Sequence, residues 1–238
     1  MKKLFLLVFF ANSLLSELVL EITQGTEDPY KVAIIKFSGD ENLATYIDKI
    51  IRSNLLRTGE FKLFEEEDLL SVVNHENEII YNDFKILDID FLIIGKILSD
   101  GANKSVEYQI FDIQKGSKVR TSTVYGIPNK DRQLSHYISD GIYEEITGIK
   151  GVSATKILYV TEYKDFKLMV ADADGKNEQV LLQSNQPIIS PAWSPDSKKV
   201  AYVSFETGIA KVFIQDIASG NREIAIENKS LISSPAWS

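Results

Sequence analysis

The chain has 238 residues, of which 44% are apolar and none is cysteine. This length gives room for one large or two ordinary domains, and the apolar content excludes a chain that is disordered over most of its length. The formal net charge of −8 disfavours a nucleic-acid-binding protein, which needs clustered lysine and arginine to neutralise phosphates.

The first predicted element is a secretory signal peptide over residues 1–16. Lys2 and Lys3 supply the positive start, residues 4–11 form an unbroken apolar run, and Ser13 and Ser16 are small residues near which cleavage is expected. A membrane anchor is the alternative, but the apolar run is shorter than the roughly 20 residues that span a bilayer. The pattern therefore favours export of the protein.

A short alternating segment follows, at the start of residues 17–30. Leucine or isoleucine occupies positions 18, 20 and 22, and these alternate with Val, Glu and Thr at 19, 21 and 23. This alternation predicts an extended segment with one apolar face. Two interpretations stay open: an edge strand of the following domain, or a mobile strand that pairs with the sheet edge of a partner. The second interpretation makes candidate partner-binding residues of Glu17, Leu18, Val19, Leu20, Glu21, Ile22, Thr23 and Gln24.

Residues 31–150 carry strand and helix patterns that are typical of an α/β domain with helices on a mixed sheet. Strands are predicted over residues 32–37, 61–64, 91–95, 106–110 and 119–125. Helical spacing of apolar residues predicts helices over residues 43–55, 69–73 and 134–146, with a further helical turn over 83–87. The run at 91–95 is nearly all apolar, as expected for a strand that is covered on both faces.

Residues 151–238 contain an internal repeat. The word Ser-Pro-Ala-Trp-Ser occurs at residues 190–194 and again at 234–238, and the two tryptophans are 44 residues apart. A period of about 40–45 residues made of short strands is typical of one β-propeller blade. Glycine after Asp174 and after Ser219 predicts hairpin turns, and residues 194–197 predict a type I turn.

The repeated positions have two interpretations. On one interpretation, the tryptophans stack on a ligand. On the other, which is favoured, they pack between blades, because a repeat duplicates its core residues. On the favoured interpretation, the structural positions of the blade repeat are Pro191, Trp193, Pro195, Asp196, Pro235 and Trp237.

Nothing in the sequence nominates a catalytic, cofactor-binding or metal-binding residue. The acidic run over residues 65–68 reads better as a solvated helix start than as a calcium loop, which needs alternating ligands and a glycine bend. The two histidines, His75 and His136, fall in different predicted helices, and no third ligand is evident. Gly151 and Ser153 lack the second glycine of a nucleophile elbow, and the loop at Gly39 is too acidic to hold phosphate.

The order of these parts resembles the TolB family, the periplasmic propeller proteins of the Tol–Pal system. Its most specific points are the junction Thr-Gly-Ile-Lys-Gly at residues 147–151 and the blade sequence over residues 186–208. The resemblance implies an α/β (or α+β) N-terminal domain at 31–150, followed by an incomplete β-propeller at 151–238, about two blades of six. It also implies that residues 17–26 contact TolA, and that Pal binds the propeller.

The resemblance further implies a non-enzymatic, cofactor-free protein that lies in the periplasm, peripheral to the membrane. Its expected role is to link TolA and Pal in support of outer-membrane integrity, cell division and colicin import, with outer-membrane lipoproteins or porins as further candidate partners and no nucleic acid. The alternative is the N-terminal part of a propeller-bearing serine peptidase, and a small-ligand propeller finds no support in the residues. Because two blades cannot close a ring, we expect the natural product to continue past Ser238.

Overall fold

The computed structural model describes residues 28–100, 103–227 and 233–237. The predicted signal peptide and the partner-binding segment at residues 17–24 lie outside the described residues. No helix within these described ranges combines the length and apolarity needed to cross a membrane.

The first part of the fold is a five-stranded mixed sheet. Its strands are β1 (Tyr30–Ile34), β2 (Phe61–Phe64), β3 (Phe91–Asp100), β4 (Asn103–Asp112) and β5 (Ser117–Tyr125). They lie in the order β2-β1-β3-β4-β5, with β1 parallel to both neighbours and β3, β4 and β5 antiparallel. Strand β3 is central and its residues Leu92, Ile93 and Ile94 are buried, which confirms the prediction for an apolar strand covered on both faces.

One face of the sheet is covered by two long helices, α1 (Glu41–Arg57) and α3 (Asp131–Thr147). Helix α1 begins where the Asp40 carboxylate accepts a hydrogen bond from the Leu43 backbone N–H at 2.9 Å, an N-cap that satisfies one orphan donor. Helix α3 ends at Gly148, whose φ of 74° is accessible to glycine without a Cβ clash. Apolar residues of both helices join those of the strands in the main core.

The opposite face has thinner cover, and here one prediction is wrong. The expected helix over residues 69–73 is absent from the described chain; only a short 3-10 turn (Glu66–Asp68) forms, and Leu69 is already extended. Glu66 accepts a hydrogen bond from the Lys36 backbone N–H, which ties the segment to the sheet, while Leu69 and Val73 pack on it. Tertiary contacts thus override a short helical pattern in which Val73 is buried and Leu69 only partly buried.

Two smaller features complete this face. The expected turn at residues 83–87 is helix α2 (Tyr81–Ile86), which buries Phe84. His75 was expected in a helix and instead precedes a 3-10 turn (Glu76–Glu78), where Glu78 accepts from the backbone N–H of His75 at 3.2 Å.

The second part of the fold is two antiparallel sheets, as expected of propeller blades. Blade 1 contains β6 (Lys156–Glu162), β7 (Phe166–Asp172) and β8 (Gln179–Ser184). Blade 2 contains β9 (Ile188–Trp193), β10 (Lys199–Ser204), β11 (Lys211–Asp216) and β12 (Arg222–Glu227). The strands pair in sequence order within each blade, and β9 packs beside β6.

Equivalent positions in the repeat have equivalent conformations. Ser190 and Ser234 both have positive φ, 52° and 51°, although neither is glycine. In the turn predicted after Trp193, the Ser197 N–H donates to the Ser194 carbonyl at 2.9 Å, which closes a β-turn. The matching conformations support reading the two words as successive copies of one unit.

The central strand provides a test of packing. Changing Gly95 to Ala should destabilise the fold by about 1–3 kcal/mol, the usual cost of overpacking. A Cβ at this position would lie 2.8 Å from the Glu107 carbonyl oxygen and 2.9 Å from the Phe37 ring, and the paired backbone cannot retreat. Urea unfolding measures the loss. Ser99→Ala on the exposed part of the same strand is the control and should change stability by less than about 0.5 kcal/mol.

Candidate functional site at the joint between the two domains

A polar stripe on helix α3 faces the propeller. Arg132, His136 and Asp140 are four residues apart, so they lie on one side of the helix. Each contacts the segment that enters blade 1 or the β7–β8 turn. We call the contacts of these three side chains with residues 153–154 and 172–174 the interdomain joint.

Arg132 forms the outer contact of the joint. Its guanidinium Nη2 is hydrogen-bonded to Asp174 Oδ2, and its Nε lies 3.7 Å from Asp172 Oδ2. Asp172 ends strand β7 and Asp174 stands in the turn closed by Gly175, so the hairpin predicted from sequence places both carboxylates here. Because the Asp174 side chain is only 8% exposed, this ion pair is poorly screened by solvent.

Asp140 forms the inner contact of the joint. Its two carboxylate oxygens accept hydrogen bonds from the backbone N–H groups of Ser153 at 2.6 Å and Ala154 at 2.9 Å. Gly151 packs so tightly against Asp140 that an added Cβ would lie 2.5 Å from its Oδ1. The junction glycine is therefore required for close approach, and the carboxylate fixes the direction in which the chain enters blade 1.

His136 lies between these contacts and is 3% exposed. Asn54 on helix α1 approaches it, with the Asn54 Nδ2 2.8 Å from His136 Nδ1 and 2.9 Å from Ser139 Oγ. The Ser139 hydroxyl already donates its one hydrogen to the Ser135 carbonyl, so it accepts from Asn54. Arg57, which can only donate, is bonded to Asn54 Oδ1 at 3.2 Å.

These partners fix both the amide orientation and the histidine tautomer. Since Asn54 presents its NH2 group to His136, the Nδ1 atom accepts a hydrogen bond and carries no hydrogen. The neutral ring therefore bears its hydrogen on Nε2, which lies 3.8 Å from Asp174 Oδ2. Among the described residues, Nε2 has no hydrogen-bond partner.

The electrostatic surroundings favour this neutral ring. Burial lowers the pKa of His136 and the nearby Arg132 guanidinium lowers it further, with Arg57 adding to the effect and Asp172 and Asp140 opposing it. The sequence assigned no role to His136; the structure shows it buried, with Nδ1 bonded and Nε2 without a partner in the described part of the chain.

His136, Asp172 and Asp174 also bring three ligand-type atoms within 4.8 Å of one another, a grouping that sequence reasoning missed. The donor chemistry does not fit a metal. A ligating histidine nitrogen must be free of hydrogen, whereas Nε2 carries it, and both carboxylates already pair with cations. Burial raises the pKa of Asp172, but bonds from Lys156 and Asn177 outweigh burial and hold that pKa below its usual value. The cluster is thus an ion-pair network.

The blade-repeat residues define a second polar feature. The indole N–H of Trp237 donates to the Ala192 carbonyl on β9 at 3.2 Å, whereas the buried Nε1 of Trp193 has no acceptor among the described residues. Ala192 pairs with Ala201 on β10, and the repeat makes Leu158 on β6 the counterpart of Ala201. In blade 2, strand β9 lies beside β10 and supplies the Ala192 carbonyl. In blade 1, no described strand lies beside β6 at the corresponding edge, so the described residues supply no equivalent carbonyl for Trp193.

The remaining repeat residues lie in β9 or in the segments beside these tryptophans. Pro191 is half-buried within β9, and Pro195 and Asp196 form the exposed turn in which Asp196 Oδ1 accepts from the Ser194 hydroxyl at 2.7 Å. Pro235 is half-buried in the second copy. Within blade 2, Tyr202 donates to Gln215 at 3.1 Å, and Gln215 in turn donates to the Leu181 carbonyl of blade 1.

An α/β domain that contacts two successive blade-like antiparallel sheets through one helix is the arrangement of a two-domain propeller protein. Sequence profiles agree: the TolB amino-terminal domain matches residues 18–119, and the TolB beta propeller domain matches residues 143–238. The chain belongs to the TolB family, with both of its domains in the family's order.

Comparison with individual proteins also places the chain in the TolB family. The chain is 37% identical over 229 residues to Tol-Pal system protein TolB of Alcanivorax borkumensis and 39% identical over 233 residues to that of Nitrosococcus oceani, covering 94% and 92% of this chain. The crystal structure of TolB from Acinetobacter baumannii superposes with a TM-score of 0.76 at 34% identity, over 86% of this chain. The matches cover 53%, 52% and 51% of those proteins, so the chain spans about half the length of its relatives.

The joint predicts a stability difference between two arginines. Arg132→Met should lower the free energy of unfolding by about 2 kcal/mol, because it leaves Asp174 without its principal cation. This cost is somewhat less than that of removing one partner from a fully buried pair. Arg120→Met is the control: the Arg120 side chain is 58% exposed and 3.8 Å from Glu145, so its loss should cost less than about 1 kcal/mol. Urea unfolding followed by tryptophan fluorescence compares the two. Equal costs would contradict the assigned role of Arg132.

Proposed function

We propose that the protein is a non-enzymatic binding module of the Tol–Pal system that acts in the periplasm and links TolA to Pal. The observation that carries this proposal is the succession of both TolB domains in one chain, supported by relatives that are named Tol-Pal system protein TolB. In this role the division at about residues 31–150 and 151–238 separates a supporting domain from a propeller that offers a surface to Pal. The matched relatives carry the TolB name rather than that of a peptidase, which disfavours the peptidase alternative.

The segment at residues 17–24 is the proposed TolA contact. An extended segment gains affinity from backbone hydrogen bonds to the edge of a partner's sheet, and its alternate side chains supply specificity. Leu18, Leu20 and Ile22 would supply the apolar contacts on one face. If the same segment also docks on its own protein, the two states compete, and a partner bound at the propeller biases the balance between them.

Alternating substitutions test this contact. Replacing Leu18, Leu20 and Ile22 with Asp should abolish capture of this chain by TolA, because charged residues would replace the whole apolar face. Replacing Val19, Glu21 and Thr23 with Ser changes the same number of residues on the other face and should leave most of the capture. A pull-down with purified TolA, together with circular dichroism to verify folding, reads both. If deletion of residues 17–24 leaves capture of the chain by TolA unchanged, the proposed contact is wrong.

We also propose that the β6 edge is completed by a strand from the part of TolB that the relatives have and this chain does not span. Within the described ranges, the outer edge of β6 pairs with no strand and the indole N–H of Trp193 has no acceptor, and both observations support this proposal. The added strand would run antiparallel to β6 and place a carbonyl opposite Leu158, as Ala192 does opposite Ala201.

A chimera that joins this chain to the second half of a relative tests that edge. Trp193→Phe should cost about 1 kcal/mol more in the chimera than in the present chain, since only the chimera would gain the hydrogen bond. Trp237→Phe is the matched control, because the Trp237 indole is bonded to Ala192 in both contexts. Unfolding in urea measures the four costs, and equal costs of Trp193→Phe in the two contexts would refute the assignment.

A further inference from the structure

We propose that the interdomain joint is acid-sensitive: protonation of His136 at Nδ1 separates helix α3 from blade 1 and loosens the coupling between the two domains. The inference does not depend on which partners the protein binds. It rests on the hydrogen-bond geometry around one buried imidazole and on the position of that imidazole between the two domain contacts, Arg132 and Asp140.

The geometry makes Nδ1 the critical atom. Asn54 presents a donor to it at 2.8 Å, and that amide cannot turn over, because Ser139 requires its NH2 group and Arg57 requires its oxygen. A hydrogen added to Nδ1 therefore faces another donor at hydrogen-bond distance. Relief requires that Asn54 or His136 move, which disturbs the packing of α1 on α3.

The charges around the ring determine how the disturbance reaches the propeller. Arg57 on α1 and Arg132 on α3 repel an imidazolium. Three carboxylates attract it: Asp140 on α3, Asp172 at the end of β7 and Asp174 in the turn that follows. A charged ring would compete with Arg132 for Asp174, the carboxylate on which the outer contact depends. Protonation thus weakens the α1 contact and divides the Asp174 contact between two cations.

Protons can reach the ring. His136 lines a cleft of about 630 Å³ between α3 and blade 1, which also includes Lys130, Gln133, Lys156 and Asp172. The cleft opens to solvent, so the ring can equilibrate with the external pH without unfolding of either domain.

The sign of the effect follows from linkage. The pKa of His136 in the folded protein is lowered, so the folded state binds fewer protons than the unfolded chain once the pH falls below the ordinary imidazole value of about 6.5. The stability that the neutral ring contributes is complete above that pH and is lost as the pH falls toward the folded pKa. The joint should therefore be tight at neutral pH and looser in mild acid.

Two measurements on the full chain test the proposal. The first is nitrogen NMR of the two histidine rings at pH 7.5. We expect His136 to carry hydrogen on Nε2 and none on Nδ1, and its titration midpoint to lie below the ordinary imidazole value of about 6.5. A ring with hydrogen on Nδ1 at neutral pH would overturn the proposal, and this measurement needs no variant.

The second measurement is the protection of the Ser153 and Ala154 amides, which bond to Asp140, against hydrogen exchange between pH 7.5 and 5. Expressed as protection factors, which remove the intrinsic pH dependence, protection should fall up to about tenfold per pH unit below the ordinary imidazole pKa. His136→Gln should abolish this fall, because glutamine can accept from Asn54 and does not titrate. His75→Gln, the matched control, should keep it.

The remaining outcomes are also decisive. If the His136→Gln chain loses protection as the unsubstituted chain does, another group governs the joint and the proposal fails. If only amides of α1 respond while Ser153 and Ala154 do not, protonation acts within the α/β domain alone and the coupling to blade 1 is refuted. Circular dichroism at pH 7.5 verifies that His136→Gln folds, and the NMR measurement decides the tautomer if it does not.

Discussion

The structure depends on a single polar stripe along helix α3. The opposite side of this helix supplies Leu134, Ile138 and Ile142 to the main core, so its position relative to the sheet is fixed by apolar packing. Its polar side then meets the propeller through Arg132, His136 and Asp140. One helix thereby transmits the orientation of the α/β domain to the first blade, and charged hydrogen bonds do this better than apolar contacts because they require defined directions.

The stripe combines contacts of different kinds. Asp140 binds backbone N–H groups at 2.6 and 2.9 Å and acts as a fixed anchor for the junction. Arg132 binds side-chain carboxylates at the tip of a hairpin, a contact that can be exchanged for another cation. His136 lies between them, with Nδ1 bonded to Asn54 and Nε2 without a hydrogen-bond partner among the residues that the structure describes. A buried polar network with one unsatisfied member is costly, which makes this the part of the joint most open to change.

In the propeller, the repeat indicates which contact a blade edge should make. The contact made by one blade predicts the contact of the equivalent edge in the other. Trp237 bonds to the inner strand of the preceding blade, and Trp193 offers the same donor with nothing described to receive it. The chain spans about half the length of its TolB relatives, and its fold matches that of a solved TolB over 86% of the chain. In a repeat architecture each unit stabilises its neighbour, so an open edge is informative about what should follow.

The sequence by itself determined the main elements, the blade period and the family resemblance, because apolar periodicity and turn residues act locally and repeat visibly. It misassigned residues 69–73 as a helix, since Glu66 binds the Lys36 backbone across a distance that no local pattern records. Only the tertiary structure decided the joint. Asn54, His136 and Asp174 are far apart in sequence. The tautomer of His136 follows from the orientation of the Asn54 amide, which Ser139 and Arg57 fix, and these contacts exist only once the chain has folded.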